Sequence, residues 1–438
     1  MTLRFGTDGV RGPASEFTDA LVVALGQAAA QVLGTSAFVI GRDTRESGER
    51  LERALAGGLV LGGAQPLSMG VVPTPAVAWV CAQRGVPGAV ISASHNPWSD
   101  NGIKFFAAGG RKLSDELEAA LESALDAIVA SGSGGDLATN IETDADAVAD
   151  WCGAVSSSIA SVVPMRIVID CANGAASFVA PAIFRGLGLD VEVLHAQPDG
   201  RNINDACGST HPEDLQRAVV ANDAVLGLAF DGDADRLLAV DERGELIDGD
   251  QLIALFARDL RERGELAGDR VVVTVMSNLG FRLAMDAQGI EVVETPVGDR
   301  HVLEALARTS SSLGGEQSGH IVFADRATTG DGVLSGVQLV DLVGRSQTPL
   351  SVLADEVMER LPQVLRNVRL EHRRDDIVDA IAGEIAEVEQ SLGARGRVLI
   401  RLSGTEPLVR VMVEAPTLEQ AEAAADNLAA AVIQACSA

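Results

Sequence analysis

The 438-residue sequence contains no long run of apolar residues that is free of Pro, Gly and charge. A helix needs about 20 consecutive apolar residues to cross a bilayer. The opening segment, Met1–Gly6, also lacks the basic and apolar regions of a secretory signal peptide. We therefore expect a cytoplasmic protein with no membrane partner.

Basic residues are scarce, and lysine is the scarcest of them. The 34 Lys and Arg stand against 62 Asp and Glu, which gives a formal net charge of −28 at pH 7. Non-specific affinity for nucleic acid depends on neutralising phosphates with positive charge, so this balance argues against a DNA or RNA partner. Lys104 and Lys112 are the only lysines, and a functional lysine must be one of these two.

Paired cysteines are also missing. The sequence has an odd number of cysteines, widely spaced and without a C-x-x-C motif: Cys81, Cys152, Cys171, Cys207 and Cys436. This pattern predicts neither a disulfide framework nor a zinc site. We expect small buried thiols in a reducing compartment.

Short β-branched runs alternate with longer amphipathic segments along most of the chain. The alternation predicts an α/β protein with largely parallel sheets, followed by a small α+β unit. The predicted strands are Ala37–Ile40, Ala89–Ser92, Arg166–Asp170, Val225–Phe230, Val271–Val275, Val398–Arg401 and Val409–Glu414. The predicted helices are Asp19–Leu33, Glu46–Leu61, Asp115–Ile128, Pro212–Ala221, Asp250–Arg263, Asp376–Ser391 and Leu418–Gln434.

The chain length and the alternation of predicted strands and helices together predict four domains, because one domain commonly holds about 100–200 residues. A small and polar segment, Ala130–Asn140, reads as a linker. We expect α/β domains at residues 1–140, 141–248 and 249–364, and an α+β domain at residues 365–438. Each domain carries one polar, Gly-containing loop beside an apolar strand, where α/β folds bind ligands.

The loop of the first domain reads ISASHNP at residues 91–97 and precedes Lys104. Its serine is either a nucleophile or phosphoryl carrier, or part of an ordinary Ser/Asn/Pro turn. His95 is a candidate base for Ser94, although adjacency in sequence does not establish a triad. No G-x-S-x-G elbow surrounds Ser94, which disfavours a hydrolase.

The loop of the second domain carries three carboxylates at alternate positions, Asp231, Asp233 and Asp235. This arrangement favours a hard cation such as Mg²⁺ or Ca²⁺. With Glu242 these residues match an EF-hand loop, but Arg236 stands where that loop requires Gly, and apolar strands flank the segment. Three carboxylates leave open positions that suit a phosphoryl oxygen.

The loop of the third domain reads GGEQSGH at residues 314–320. Glu316, Gln317, Ser318 and His320 supply donors and acceptors suited to sugar hydroxyls. Alone, the segment is also compatible with a plain turn.

The loop of the fourth domain reads RLSGTEP at residues 401–407 and is followed by Arg410. Hydroxyl groups, backbone N–H groups and two arginines form a suitable oxyanion cradle, with Arg401, Ser403, Gly404 and Thr405 as its members. The loop lacks the spacing and the lysine of a Walker A motif, so it does not support ATP binding.

Two further turns contain Gly and Arg. One, GTDGVRG, contains Arg11, and the other, Gly41–Arg45, follows a predicted strand. A surface turn with an ion pair is the commoner use of such residues, and it stands as the alternative to a functional role for both segments.

Taken together and in this order, the loops resemble those of the α-D-phosphohexomutase superfamily. The resemblance extends from Phe5 to about Glu414, and it is greatest for the phosphoglucosamine mutase branch. The segments that carry it are FGTDGVRG, GGEQSGH with its Gln317, PVGDR at 296–300, TTGDG at 328–332 and SGTEPLVRVMVE. Two positions depart from the pattern: Ala234, where many members have Gly, and Leu402, where Lys or Pro is frequent.

The resemblance implies a role for each loop in a four-domain architecture around a central cleft. Ser94 would be a phosphoserine, and Mg²⁺, one per subunit, would lie between its phosphate and the three aspartates. Lys104 is the favoured acid/base, because an arginine is effectively always protonated. The implied catalytic residues are Ser94, Lys104, Arg11, His95 and Arg236. The implied metal ligands are Ser94, Asp231, Asp233 and Asp235. The implied substrate-binding residues are Glu316, Gln317, Ser318, His320, Arg300, Arg401, Ser403, Gly404, Thr405 and Arg410.

The implied reaction interconverts glucosamine 6-phosphate and glucosamine 1-phosphate through a phosphoserine enzyme and a sugar 1,6-bisphosphate. That bisphosphate would also act as an activator, the product would feed UDP-N-acetylglucosamine and cell-wall synthesis, and the protein would be a homodimer. One alternative is a phosphomannomutase/phosphoglucomutase of the same mechanism. Gln317 is the residue that favours the glucosamine substrate over this alternative. Others are a catalytically silent sugar-phosphate or metal-binding protein and a Ca²⁺ sensor that uses Asp231–Glu242.

Overall fold

The computed structural model describes residues 6, 9–132, 137–138, 140–370, 374, 376–402 and 407–437. The chain divides into two compact units. The first contains Met1–Val275 and Glu291–Ala354, and the second contains Met276–Ile290 and Asp355–Ala438.

The strands of the described residues are β1 (Val10–Pro13), β2 (Ala37–Arg42), β3 (Gln65–Val71), β4 (Gly88–Ile91), β5 (Asp100–Phe106), β6 (Glu142–Thr143), β7 (Arg166–Asp170), β8 (Asp190–Leu194), β9 (Leu226–Phe230), β10 (Leu237–Asp241), β11 (Leu246–Ile247), β12 (Arg270–Thr274), β13 (Glu291–Thr295), β14 (Leu313–Gly315), β15 (Ile321–Phe323), β16 (Gln363–Arg369), β17 (Arg397–Leu402) and β18 (Leu408–Glu414).

The helices of the described residues are α1 (Asp19–Leu33), α2 (Gly48–Leu61), α3 (Thr74–Arg84), α4 (Asp115–Ser131), α5 (Ala145–Ser156), α6 (Ala180–Gly186), α7 (Glu213–Ala221), α8 (Gly249–Glu262), α9 (Leu279–Ala287), α10 (Asp299–Thr309), α11 (Gly332–Ser346), α12 (Leu350–Val357), α13 (Ile377–Ala380), α14 (Ala382–Leu392) and α15 (Leu418–Ser437). None of them is both long enough and apolar enough to cross a membrane.

The first unit contains three mixed sheets, with strand orders β1-β5-β4-β2-β3-β6, β11-β10-β9-β7-β8 and β13-β12-β14-β15. In each sheet the central strands pair in parallel and one edge is antiparallel. Because β4, β9 and β14 are fully buried, their polar residues follow at the carboxyl ends. Those ends carry the serine loop (residues 91–97), the aspartate loop (residues 231–235) and the glutamate loop (residues 316–320).

The second unit contains an antiparallel sheet of order β16-β18-β17. Alternate apolar residues of these strands, with one face of α15, form its core around Val409, Val411 and Leu428. The predicted α/β architecture with a terminal α+β unit is therefore confirmed.

Every predicted strand, and every predicted helix but one, is present with ends that differ by a few residues at most. One predicted helix is wrong in its continuity. The segment Asp376–Ser391 forms two helices, α13 and α14, because the buried Ile381 between them has non-helical angles (φ −113°, ψ 20°). The predicted linker Ala130–Asn140 begins inside α4, and its residues 133–136 and 139 lie outside the described residues.

Candidate active site

Ser94 follows β4, and its side chain contacts the carboxylates that follow β9. Ser94 Oγ donates a 2.6 Å hydrogen bond to Asp231 Oδ2 and lies 3.3 Å from His95 Nδ1. Ser94 is buried with a φ of 52°, a conformation that non-Gly residues adopt rarely. The two loops approach closely, since a Cβ on Gly232 would lie 2.6 Å from the carbonyl oxygen of Ser94.

The three aspartates present carboxylate oxygens within 4.8 Å of one another. Lys104 Nζ donates to Asp233 Oδ2 at 2.8 Å and to Asp235 Oδ2 at 3.3 Å. Oδ1 of Asp233 and Oδ1 of Asp235 are buried and accept no hydrogen bond from the described residues. Buried carboxylate oxygens without donors suit a hard divalent cation, so these residues form a candidate metal site.

The protonation of the cluster depends on burial and on its neighbours. Burial raises the pKa of Asp231 well above its usual value, and the charges of Asp233 and Asp235 add to the effect. Burial acts in the same direction on Asp233, but the charge and hydrogen bond of Lys104 outweigh it and lower the pKa of Asp233. A divalent cation would favour the ionised form of every carboxylate in the cluster.

The aspartate loop includes one departure noted in the sequence, Ala234, and its backbone accounts for the Gly that many members have there. Ala234 has a φ of 55°, in the left-handed region that Gly adopts freely. An L-residue is disfavoured there by about 1–2 kcal/mol. The substitution removes no carboxylate of the loop.

His95 is held in its neutral form. Burial lowers the pKa of His95 to about 4, and the charges of Arg236 and Arg11 act in the same direction. Arg11 lies on β1 opposite Gly102 of β5, and Arg236 Nε lies 3.9 Å from Asp235 Oδ1. The predicted catalytic residues therefore lie around one serine.

Arg45 does not lie in a surface turn, which is the commoner position of an arginine in such a segment. Its side chain is buried, and its guanidinium donates to the carbonyl oxygens of Ser94 at 2.9 Å, Asn96 at 2.8 Å and Asp100 at 3.0 Å. The expected ion pair is present, since Arg45 Nε donates to Asp43 Oδ2 at 2.9 Å. The guanidinium thus holds the backbone of the serine loop.

Two further side chains hold the serine and aspartate loops, Asn204 from the loop after β8 and Thr74 at the start of α3. Asn204 Nδ2 donates to the carbonyl oxygens of Ser94 at 2.9 Å and Asn96 at 3.1 Å. Thr74 Oγ1 donates to Asp233 Oδ2 at 2.6 Å, and Thr74 N to the carbonyl oxygen of Asp233 at 2.9 Å. Sequence reasoning missed Thr74 and Asn204, because single polar residues outside a motif give no signal.

The glutamate loop, which is predicted to bind sugar hydroxyls, forms the turn between β14 and β15. Glu316 Oε1 accepts from Gly298 N at 3.1 Å, and Gln317 Nε2 donates to Asp248 Oδ2 at 3.4 Å. His320 is buried, and its Nε2 accepts from Gly330 N at 3.3 Å. The turn is therefore held at both ends by backbone groups from other segments.

Arg300 lies at the amino end of α10 and pairs with carboxylates of α4. Its guanidinium donates to Asp115 and Glu118. With Arg111 and Lys112 it lines a cavity of about 640 Å³. Its assignment to substrate binding remains a prediction.

In the second unit, two of the predicted phosphate ligands are cross-strand neighbours. Arg401 of β17 is directly opposite Arg410 of β18, which places the side chains on one face. Burial, followed by the charge of Arg410, lowers the pKa of Arg401. Two adjacent cations form a suitable site for an anion. The remaining predicted cradle residues, Ser403, Gly404 and Thr405, lie outside the described residues.

Comparison with protein families matches four models along the chain. They are those of phosphoglucomutase/phosphomannomutase: alpha/beta/alpha domain I at residues 2–131, domain II at 145–244, domain III at 248–361 and the C-terminal domain at 365–431.

Curated relatives match at about half of all positions. A phosphoglucosamine mutase of Moorella thermoacetica is 49% identical over 431 residues, covering 95% of this chain and 96% of the relative. One from Thermobifida fusca is 49% identical over 440 residues, covering 98% of each chain.

Solved structures share the fold over the whole chain. A phosphoglucomutase/phosphomannomutase family protein of Burkholderia thailandensis has a TM-score of 0.81 at 25% identity, covering 98% of this chain and 97% of that one. An Aspergillus fumigatus N-acetylphosphoglucosamine mutase, solved with GlcNAc-6P and magnesium, has a TM-score of 0.70 at 18% identity, covering 100% and 96%.

Proposed function

The chain belongs to the phosphoglucomutase/phosphomannomutase family, and from that premise we propose that it interconverts glucosamine 6-phosphate and glucosamine 1-phosphate as a phosphoglucosamine mutase. The observation that carries the proposal is the contact between Ser94 Oγ and Asp231 Oδ2 at 2.6 Å. It joins the predicted phosphoryl carrier to the predicted metal site.

In the proposed reaction the enzyme begins phosphorylated on Ser94. The free hydroxyl of the bound monophosphate attacks the phosphorus, a new sugar O–P bond forms, and the bond from phosphorus to Ser94 Oγ breaks. The hydroxyl proton passes to a base, for which Lys104 Nζ and His95 Nδ1 are the candidates. The resulting 1,6-bisphosphate reorients, and its other phosphoryl group returns to Ser94 by the reverse steps.

The side chains around Ser94 support this chemistry. Phosphoryl transfer is catalysed mainly by positioning and by neutralising charge. Arg11 and Arg236 supply positive charge at the loop, and neutral His95 offers a lone pair. Lys104 would add positive charge once it has taken the hydroxyl proton. Bound Mg²⁺, held by the three aspartates and the Ser94 phosphate, would supply further neutralisation of phosphoryl charge.

The remaining loops are proposed to hold the sugar and its second phosphate. Glu316, Ser318 and His320 would bind hydroxyls, and Arg401 and Arg410 would bind the phosphate that is not reacting. We further propose that the chain has the four domains predicted from its sequence, that it is a homodimer, and that sugar 1,6-bisphosphate activates it.

The experiment that tests the mechanism is Ser94→Ala. We expect it to nearly abolish turnover and to remove covalent phosphate detected by mass spectrometry, because no other group would carry the phosphoryl group. Ser99→Ala, at an exposed position of the same loop, is the matched control and should retain both. Activity of Ser94→Ala within about tenfold of wild type would contradict the phosphoserine mechanism.

A further inference from the structure

A second cluster of metal-ligand side chains lies at the carboxyl ends of β7 and β8. Asp170 is the last residue of β7, and its register partner Leu194 immediately precedes His195. Cys207 reaches the same place from a later loop, and one ligand atom of each side chain lies within 4.8 Å of the other two. This set differs from the aspartate loop because it combines oxygen, nitrogen and sulfur.

The imidazole of His195 is oriented by carboxylates at both of its nitrogens. Nδ1 lies 3.0 Å from Asp170 Oδ2, and Nε2 lies 3.3 Å from Asp214 Oδ2 on α7. In the metal-free protein Nδ1 donates its proton to Asp170 Oδ2. A bound cation would displace that proton, so that Nε2–H remains on Asp214 and the lone pair of Nδ1 is directed into the cluster. Metal-binding histidines commonly donate their other ring proton to a carboxylate in this way.

The other two side chains are fixed and buried. Asp170 Oδ1 accepts from Ala172 N at 2.9 Å, and Asp170 Oδ2 accepts from Gly208 N at 3.0 Å. Asp170 and Cys207 are both 0% exposed, whereas the side chain of His195 is partly exposed. The backbone of His195 has a φ of 46°, so the ring is placed by a conformation that non-Gly residues rarely adopt.

We propose that Asp170 Oδ2, His195 Nδ1 and Cys207 Sγ bind a zinc ion, with water as the fourth ligand. Zinc takes thiolate, imidazole and carboxylate ligands in tetrahedral sites. Oxygen ligands alone suit Mg²⁺, so this cluster and the aspartate loop select different metals. The proposal stands independently of the proposed mutase activity.

Zinc binding has a chemical consequence at Cys207. Burial raises the pKa of this thiol to about 12, and the charge of Asp170 acts in the same direction. The thiol is therefore protonated near pH 7 in the metal-free protein, and the incoming cation displaces its proton. We expect one proton to be released from Cys207 for each ion bound.

The site would also hold the loop that contacts Ser94. Asn204 lies three residues before Cys207 and donates to the carbonyl oxygen of Ser94. A bond from Cys207 Sγ to the metal would tie this loop to the ends of β7 and β8.

Cobalt titration tests the site, because Co²⁺ replaces zinc and its bond to a thiolate gives a charge-transfer band in the near ultraviolet. The full chain would carry Cys436→Ser, which removes an exposed thiol, and would first be treated with a chelator. We expect the band to saturate at one Co²⁺ per chain, to persist in excess Mg²⁺ and to disappear when Zn²⁺ is added.

Variants connect the band to these residues. Cys207→Ser should remove it, whereas Cys152→Ser, outside the cluster, should retain it. Asp214→Asn keeps all three ligands but weakens the orientation of His195, and it should lower cobalt affinity about 10- to 100-fold.

Several outcomes would overturn the zinc assignment. They are no thiolate band at one equivalent, a band unchanged by Cys207→Ser in protein with the wild-type circular dichroism spectrum, or unchanged cobalt affinity in Asp214→Asn. Loss of the band in excess Mg²⁺ would also contradict the proposal, because a site with a thiolate ligand should not bind Mg²⁺ in place of Co²⁺.

Discussion

Arg45 holds the serine loop through main-chain carbonyls, so its effect does not depend on the side chains of that loop. A guanidinium presents five donors in a fixed plane, which lets one group reach several carbonyl oxygens. The ammonium of a lysine is a single point with a shorter reach. Arg45 therefore acts as a positioning residue for Ser94.

Arg45→Lys should lower kcat about a hundredfold, since a misplacement near 1 Å can have that effect. KM for the sugar phosphate should change little, because Arg45 contacts the loop and its neighbour Asp43. Steady-state kinetics measure both constants. Arg50→Lys is the control, since Arg50 pairs with Asp19 at a more exposed position. A loss confined to KM, or an unchanged kcat, would refute the positioning role.

Asp233→Asn tests the metal site. Removing one charge from the cluster should lower kcat about 10²–10³-fold and raise the Mg²⁺ concentration needed for half-maximal rate, because a metal contributes several kcal/mol of charge stabilisation. The measurement is a Mg²⁺ titration of the initial rate. Asp286→Asn, on the exposed side of α9, should behave as wild type. An unaltered Mg²⁺ response in Asp233→Asn would reject the assignment.

At the residue level, sequence reasoning found groups that stand in motifs and missed groups that act singly. Ser94 and the aspartates interrupt apolar strands, which made them visible. Arg45 looked like a surface residue because its partners are backbone atoms. The ligands proposed for zinc are far apart in sequence, so cysteine spacing gave no indication of Cys207.

Among the helices, α11 shows how burial can hide an element from sequence reasoning. Most residues of Gly332–Ser346 are buried, so the segment lacks the polar face that marks an amphipathic helix. By contrast, α8 has a polar face and a capping box between Asp248 and Gln251, and both of its ends were predicted closely. Short strands such as Leu313–Gly315 depend on their sheet partners and give little local signal.

Asp331 caps α11 and makes the stability of the fold depend on pH. Its side chain accepts from Leu334 N at 2.9 Å, and burial raises the pKa of Asp331 to about 7. Between about pH 4 and pH 7, the unfolded chain loses this proton while the folded protein keeps it. The free energy of unfolding therefore falls as pH rises through this window, by at most about 1.4 kcal/mol per pH unit, and levels off above it.

Asp331→Asn removes this titration and keeps an oxygen that can cap the helix. We expect the melting temperature of the variant, relative to wild type, to increase steadily from pH 4 to pH 7. Asp325→Asn, which changes an exposed carboxylate nearby, should follow the wild-type curve. A constant difference between Asp331→Asn and wild type across this range would show that Asp331 does not titrate there.

For the whole molecule, a net charge of −28 has to coexist with a site for an anionic substrate. Positive groups are concentrated at the proposed sites instead. Arg11, Lys104 and Arg236 lie around Ser94, and Arg401 and Arg410 lie in the second unit. The net charge of the whole chain thus argues against a nucleic acid partner, whereas the local positive charge at these sites indicates a phosphate ligand.

Substrate recognition is also a property of the whole molecule, because the proposed sugar and phosphate ligands come from different domains. The most direct test of the account is kcat/KM for glucosamine 6-phosphate, glucose 6-phosphate and mannose 6-phosphate, with Mg²⁺ and a trace of sugar 1,6-bisphosphate. We predict a strong preference for glucosamine 6-phosphate. A preference for glucose or mannose 6-phosphate would contradict the proposed substrate, although the phosphoserine mechanism would be retained.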